Sequence, residues 1–149
     1  MRMDESVREP LDITIDAIHE ARSRLEGVIV RTPLLRLGGE GAEDIWIKPE
    51  VLQPIGSFKL RGAYNAIAKL LDRTRVDELM TVSAGNMSQA VAWSTRERGL
   101  RARAVMPSTA PPFKISATRA LGATIQLTTR EEVMAAMIDG RYDDHPGFI

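Results

Sequence analysis

From residue 79 onward the chain repeats one arrangement three times: a short apolar run of strand length, then a longer run with helical spacing. The short runs are Met80-Thr81-Val82-Ser83, residues 101–106 and residues 123–127. The stretches after them, over about 87–98, 113–121 and 131–138, place apolar side chains at helical intervals. Strands joined through helices run parallel, because a helical crossover returns the chain to the same end of the sheet. The crossovers then cover both faces. The expected class is therefore α/β, with a parallel twisted sheet and helices on both faces.

Upstream of residue 79 the pattern differs. A helix is expected over about 14–25, with Ile15, Ile18, Ala21 and Leu25 on one face and Gly27 ending it. Residues 44–48 alternate weakly and read as a strand. A further helix runs from near Lys59 to about Leu71, and Leu60, Tyr64, Ile67 and Leu71 share its core-facing side. Charges cluster at Arg73, Arg75 and Asp77, which sets an expected division into residues 1–76 and 77–149. The repeated units share no sequence period, and no low-complexity tract occurs.

Lys59 carries the strongest chemical signal. It lies in the first turn of its helix, with Ser57 placed to cap it. Partial positive charge gathers at such an end, so an ammonium is disfavoured there and the neutral, nucleophilic amine is favoured. A lysine standing alone at a helix start is otherwise a snorkelling surface side chain. The second signal is Asn86 after Gly85, at a turn from strand to helix. Backbone N–H groups at a helix start form a natural carboxylate site.

The segment Ile47-Lys48-Pro49-Glu50-Val51-Leu52-Gln53-Pro54-Ile55-Gly56-Ser57-Phe58-Lys59-Leu60-Arg61-Gly62-Ala63 resembles the cofactor-lysine region of pyridoxal-phosphate enzymes of the tryptophan-synthase-β fold type (PLP fold type II). Within that group it is most similar to the threonine/serine dehydratases and serine racemases. Ser83-Ala84-Gly85-Asn86-Met87-Ser88-Gln89-Ala90 is similar to the family's substrate-carboxylate loop. Pro107-Ser108-Thr109-Ala110-Pro111-Pro112-Phe113-Lys114, running on into Ala117-Thr118-Arg119-Ala120-Leu121-Gly122-Ala123, and Arg31-Thr32-Pro33-Leu34 also fit the pattern. The four blocks fall in family order, and the similarity extends from about residue 12 to the end.

The resemblance implies that Lys59 forms the Schiff base with pyridoxal 5'-phosphate and later moves the substrate's α-proton. It implies that Phe58 packs an aromatic face near the cofactor ring, although a plain core phenylalanine is the simpler reading. It puts the Asn86 amide beside the cofactor's phenolic oxygen, a role that an ordinary N-cap asparagine would share. Ser83, Ala84, Gly85, Asn86 and Met87 would receive the substrate carboxylate. The implied activity is a PLP-dependent lyase, a threonine/serine dehydratase that eliminates the β-hydroxyl to give a 2-oxo acid and ammonia. Serine racemase or hydroxyaspartate dehydratase activity is the alternative, and a non-catalytic truncated binding module is another. Threonine synthases share the Ser-Phe-Lys element, but Leu60-Arg61-Gly62-Ala63 fits the dehydratases better.

Two positions depart from the family. Racemases tend to carry serine where this chain has Ala84, and that hydroxyl returns a proton from the opposite face; alanine there favours elimination. Met87 stands where the family usually has histidine, and it offers neither charge nor a strong hydrogen bond. Relatives are roughly twice as long as these 149 residues. The expected organisation is a truncated chain: residues 1–76 give the N-terminal part of the large cofactor domain, and 77–149 give a small α/β domain. In relatives the segment like residues 144–149 leads into a strand that re-enters the larger domain. The glycine-rich phosphate cradle and the residue facing the pyridine nitrogen would follow residue 149, so the fragment alone is expected to be inactive. A homo-oligomer is expected at full length.

Composition narrows the classes further. Twenty basic and 20 acidic side chains cancel, which leaves no electrostatic footprint for nucleic acid. The absence of cysteine excludes disulfides and thiolate metal sites. Residues 1–10 lack the apolar core of a signal peptide, and no stretch has the length of a membrane span, which together suggest a cytoplasmic protein; the resemblance implies an amino-acid substrate as its small-molecule partner. Weaker candidates read as structural. Gly38-Gly39-Glu40-Gly41 is a flexible connection, because Glu40 would repel a phosphate. His19 and His145 have no partner at metal-ligand spacing and should face solvent, and no metal is expected. Asp143 and Asp144 read as a solvated loop, Trp46 and Trp93 as core or interface residues.

Overall fold

A central strand of small and branched residues, Ala102, Ala104, Val105 and Met106, all within 5% exposure, organises the molecule. The computed structural model describes residues 13–39, 41, 44–142 and 144–149. That strand is β4 (Arg101–Pro107), flanked by β3 (Glu78–Val82) and β5 (Thr124–Thr128) in a three-stranded parallel sheet of order β3-β4-β5. The register pairs Leu79 with Ala102 and Val82 with Val105 on one side, and Ala104 with Ile125 on the other. Side chains alternate between the faces. Leu79, Ala102, Ala104 and Met106 therefore look one way, and Met80, Val82 and Val105 look the other.

Helices cover both faces, as expected. On the first lie α3 (Asn86–Arg96) and α4 (Pro112–Ala120). Ala92 of α3 meets Ala102 and Ala123, where small side chains on both partners let the helix approach closely. Ile115 of α4 packs on Ala104, Met106 and Ala110. On the second face α5 (Arg130–Ile138) sets Val133 against Met80, Val82 and Val105. Its start is fixed by a capping box in which Thr129 accepts from the Glu132 N–H and the Glu132 carboxylate returns to the Thr129 N–H.

The chain ends at the open edge of the same sheet. The Met80 N–H donates to the Gly147 carbonyl at 2.8 Å, and the Ile149 N–H donates to the Met80 carbonyl at 2.9 Å. Phe148 bridges Met80 in parallel and reaches the Tyr142 ring at 6.2 Å. Residues 147–149 thus extend the β3 edge. Gly147 is required by this approach, since a Cβ there would overlap the Glu78 carbonyl oxygen.

A second layer sits outside α3. Helix α2 (Lys59–Leu71) buries Leu60, Ala63 and Ile67 against Leu79, Ala90 and Val91. Tyr64, partly exposed, meets the Trp93 ring at 6.4 Å. Helix α1 (Ile15–Leu25), capped by the Thr14 hydroxyl and ended by Gly27 at φ 73°, packs on α2. None of its residues is buried, and Ile15 remains 68% exposed. A two-residue antiparallel pair, β1 (Leu35–Arg36) with β2 (Trp46–Ile47), precedes the lysine segment. Strand β1 was not expected; two residues carry no periodicity. Trp46 is exposed, so it is not a core residue, whereas Trp93 joins the cluster around Leu60. Among the described residues no helix is long and apolar enough to cross a membrane.

Candidate functional site

Lys59 is the first residue of α2, and its side chain is exposed. Its ammonium lies 4.9 Å from the centre of the Phe58 ring. Among the described residues it has no hydrogen-bond or ion-pair partner. Phe58 is 58% exposed, so the reading of it as a core residue is overturned. Ser57 acts from one place earlier than an N-cap. Phe58 occupies the cap position without a side-chain bond, and the buried Ser57 hydroxyl accepts the Lys59 N–H at 3.3 Å. Gly56, at φ 66°, makes the turn into this segment.

Behind the lysine lies a polar cluster that the sequence did not disclose. Glu50, in a 3-10 turn over Glu50–Leu52, receives Arg61 in a fork, Nε to Oε2 at 2.7 Å and Nη2 to Oε1 at 2.8 Å. The Thr32 hydroxyl donates to the same carboxylate at 2.6 Å and Gln53 Nε2 at 3.3 Å. The Gln53 amide binds both backbone groups of Val30, and Arg61 Nη2 donates to the Val30 carbonyl at 3.3 Å. Lys48 donates to the Thr32 carbonyl at 3.0 Å. The Arg61 hydrogen bonds, opposed in part by burial and helped by Thr32, hold the Glu50 carboxyl down at about 2. The same pairing raises Arg61. Glu50, Gln53, Thr32 and Arg61 were visible only as members of the family blocks; their contacts join residues far apart in sequence.

The second loop turns from β3 into α3. The Ser83 hydroxyl accepts the Gly85 N–H at 3.1 Å, and Ser88 Oγ donates to the Gly85 carbonyl at 2.7 Å. Gly85 is the cap residue of α3, which corrects the N-cap reading of Asn86, now the first helical residue. Lys114 Nζ donates to Asn86 Oδ1 at 2.7 Å. An ammonium has only donors, so the amide must turn its oxygen toward Lys114 and leave its NH2 free. The backbone N–H groups of Asn86 and Met87, in the first turn of α3, donate to no acceptor among the described residues. The Ala84 methyl packs against Ala104, Met106 and Ala110, and the Met87 thioether against the cluster containing Leu60.

That cluster joins the two loops. Leu60 and Ile55 from the lysine segment and Met87 from the second loop pack on one apolar core. Among the described residues the lysine segment presents an unpartnered primary amine and an exposed aromatic face, and the second loop a free amide NH2 and two free backbone N–H donors at a helix start. Such an amine can attack a carbonyl, and such a helix start can receive a carboxylate.

The weaker candidates stay apart. His19 is exposed, and His145 accepts the Gly147 N–H at 3.1 Å through Nδ1. No cluster of metal-ligating side chains occurs among the described residues. Glu40 and Asp143 lie outside the described residues, and Asp144 is exposed.

Residues 25–146 match the family model described as pyridoxal-phosphate dependent enzyme. The chain is 43% identical over 118 residues to L-threonine ammonia-lyase of Thermotoga maritima, covering 77% of this chain and 29% of that protein. It is 40% identical over 109 residues to L-threo-3-hydroxyaspartate ammonia-lyase of a Pseudomonas species, covering 71% of this chain and 34% of the other. Among solved structures, a pyridoxal 5'-phosphate-dependent aspartate racemase superposes with a TM-score of 0.78 at 31% identity, over 94% of this chain and 45% of that one. The chain therefore spans about a third of the length of these curated relatives. The likeness bears out the tryptophan-synthase-β-like α/β class expected from the sequence.

Proposed function

The chain belongs to the pyridoxal-phosphate dependent enzyme family, and from that premise we propose that the protein is an ammonia-lyase. Its substrates would be threonine or serine, converted to a 2-oxo acid and ammonia. The observation that carries this is Lys59: an exposed amine at a helix start, without a side-chain partner among the described residues. Threonine and hydroxyaspartate ammonia-lyases among the relatives support the substrate class.

Bound pyridoxal phosphate would supply an electron sink for the pair left on the substrate's α-carbon. Lys59 is the attachment amine and, once displaced by the substrate amine, the base that takes the α-proton. The free NH2 of Asn86 would donate to the cofactor's phenolic oxygen and set the ring's tilt. Phe58 would offer its face to the ring. The substrate carboxylate would sit on the N–H groups of Asn86 and Met87, in the loop opened by Ser83, Ala84 and Gly85. Residues 1–76 and 77–149 would form separate units of a longer, oligomeric enzyme.

Racemisation is the second reading, supported by the similarity to aspartate racemase. Ala84 argues against it: a methyl packed on Ala104 and Met106 holds no proton to return to the opposite face. One assay separates the readings. Protein of its relatives' length that contains residues 1–149, incubated with cofactor, should gain a visible absorbance that Lys59→Ala lacks, and should release 2-oxobutyrate from threonine. D-serine formation without keto acid would install racemisation instead. A folded chain that stays colourless and inactive in every length containing residues 1–149 would make it a binding module.

A further inference from the structure

The clasp behind α2 does more than close a loop. Glu50 and Arg61 lie 11 residues apart and bracket Lys59 from both sides in sequence. Arg61 follows Lys59 by two positions, which at 3.6 residues per turn places it roughly 200° around the helix axis. The clasp therefore grips the face of α2 turned away from the lysine. Within the first turn the Arg61 N–H reaches the Phe58 carbonyl at 3.0 Å, whereas the two bonds nearest the lysine are longer. Lys59 N reaches Ser57 Oγ at 3.3 Å, and Leu60 N reaches the Ser57 carbonyl at 3.5 Å. The Glu50 carboxylate is filled from four donors, two from Arg61 and one each from Thr32 and Gln53. Such a forked, charge-assisted pair fixes direction as well as distance.

We propose that Glu50 and Arg61 are positioning residues for Lys59, setting the rotation of the first turn of α2 and so the direction in which the lysine amine points. This rests on the reading of Lys59 as the attachment amine. Thr32 and Gln53 fasten the clasp to residues 30–32, so the lysine is referenced to the chain before it and not only to its own helix.

The test is labelling of the purified protein with pyridoxal phosphate and borohydride, followed by peptide mapping. Lys69, near the far end of the same helix, serves as internal standard. Glu50→Gln keeps the shape but removes the charge, and should lower the Lys59-to-Lys69 labelling ratio roughly tenfold with helix content retained. Arg61→Lys keeps the charge but loses the fork, and should lower the ratio by a smaller factor; it serves as the readout if Glu50→Gln does not fold. Glu78→Gln breaks the remote 2.7 Å pair with Arg103 and should leave the ratio unchanged. A ratio unaltered in folded Glu50→Gln or Arg61→Lys overturns the positioning role while Lys59 stands. Wild-type protein with no label at Lys59 overturns the attachment reading, and the positioning role with it.

Discussion

Two Phe-Lys dipeptides begin helices in this chain, and they are handled in opposite ways. Phe58-Lys59 opens α2, and Phe113-Lys114 lies in the first turn of α4. Both ammonium groups lie over their neighbouring ring, at 4.9 Å and 5.5 Å. Both phenylalanines are exposed, at 58% and 66%. Yet Lys114 is bound to Asn86, whereas the Lys59 side chain has no polar partner among the described residues and a charged clasp on the opposite side of its helix. The dipeptide does not make a reactive amine. What differs is whether the surroundings use up the nitrogen or only aim it.

The largest expected effect breaks this comparison outright. Lys59→Ala should abolish covalent attachment of pyridoxal phosphate at the site, read as loss of both the visible band and the borohydride-stable label. Lys114→Ala should retain the label at Lys59. Equal losses in the two variants would show that the two dipeptides are not functionally distinct.

The next effect separates the clasp from ordinary surface pairs. Glu50 titrates at about 2 in the folded chain, against an ordinary 4.5. Its contribution to stability is thus complete above about pH 4.5 and is lost as pH falls from there toward 2. Over that interval it is worth on the order of 1–2 kcal/mol, because the Arg61 side chain is 30% exposed and water screens part of the attraction. Acid unfolding of wild type should show this loss, and Glu50→Gln, already destabilised at pH 7, should show a flatter profile in the same window. The more exposed pair of Arg24 with Glu20, at 2.8 Å, should be worth about 0.5 kcal/mol. If Glu20→Gln costs as much as Glu50→Gln, the clasp has no special standing.

How much of this could be read in advance follows from distance along the chain. Helix α2 was visible because Leu60 and Ile67, which are fully buried, recur at helical spacing. The three strands of the sheet were visible because the central one presents short apolar runs to helices on both faces. The segment around Lys59 was legible as a local motif. The clasp was not, because Thr32 meets Glu50 across 18 residues and Arg61 across 11, separations without a periodic signature. Helix α1 was legible too, from the helical spacing of Ile15, Ile18, Ala21 and Leu25, but periodicity says nothing about whether a partner covers the face, and none of its residues is buried. The link from Lys114 to Asn86 was equally hidden, since an exposed and a half-buried residue 28 apart give no pattern.

That link supplies the smallest effect and the finest discrimination. With its ammonium on Asn86 Oδ1, Lys114 decides which end of the amide is free. Lys114→Met removes the charge while keeping most of the apolar stem against the helix. The amide can then rotate, and the orientation that donates to a phenolic oxygen is no longer enforced. Because the contact is exposed, stability should hardly change. Cofactor affinity should fall by roughly threefold, the scale of about half the energy of one neutral hydrogen bond, read by titrating the visible band. Lys114→Arg, which also presents only donors to Asn86, should recover most of the affinity. If Lys114→Met binds as wild type while Asn86→Ala does not, the asparagine works without an orienting partner, and the second dipeptide is only a surface feature.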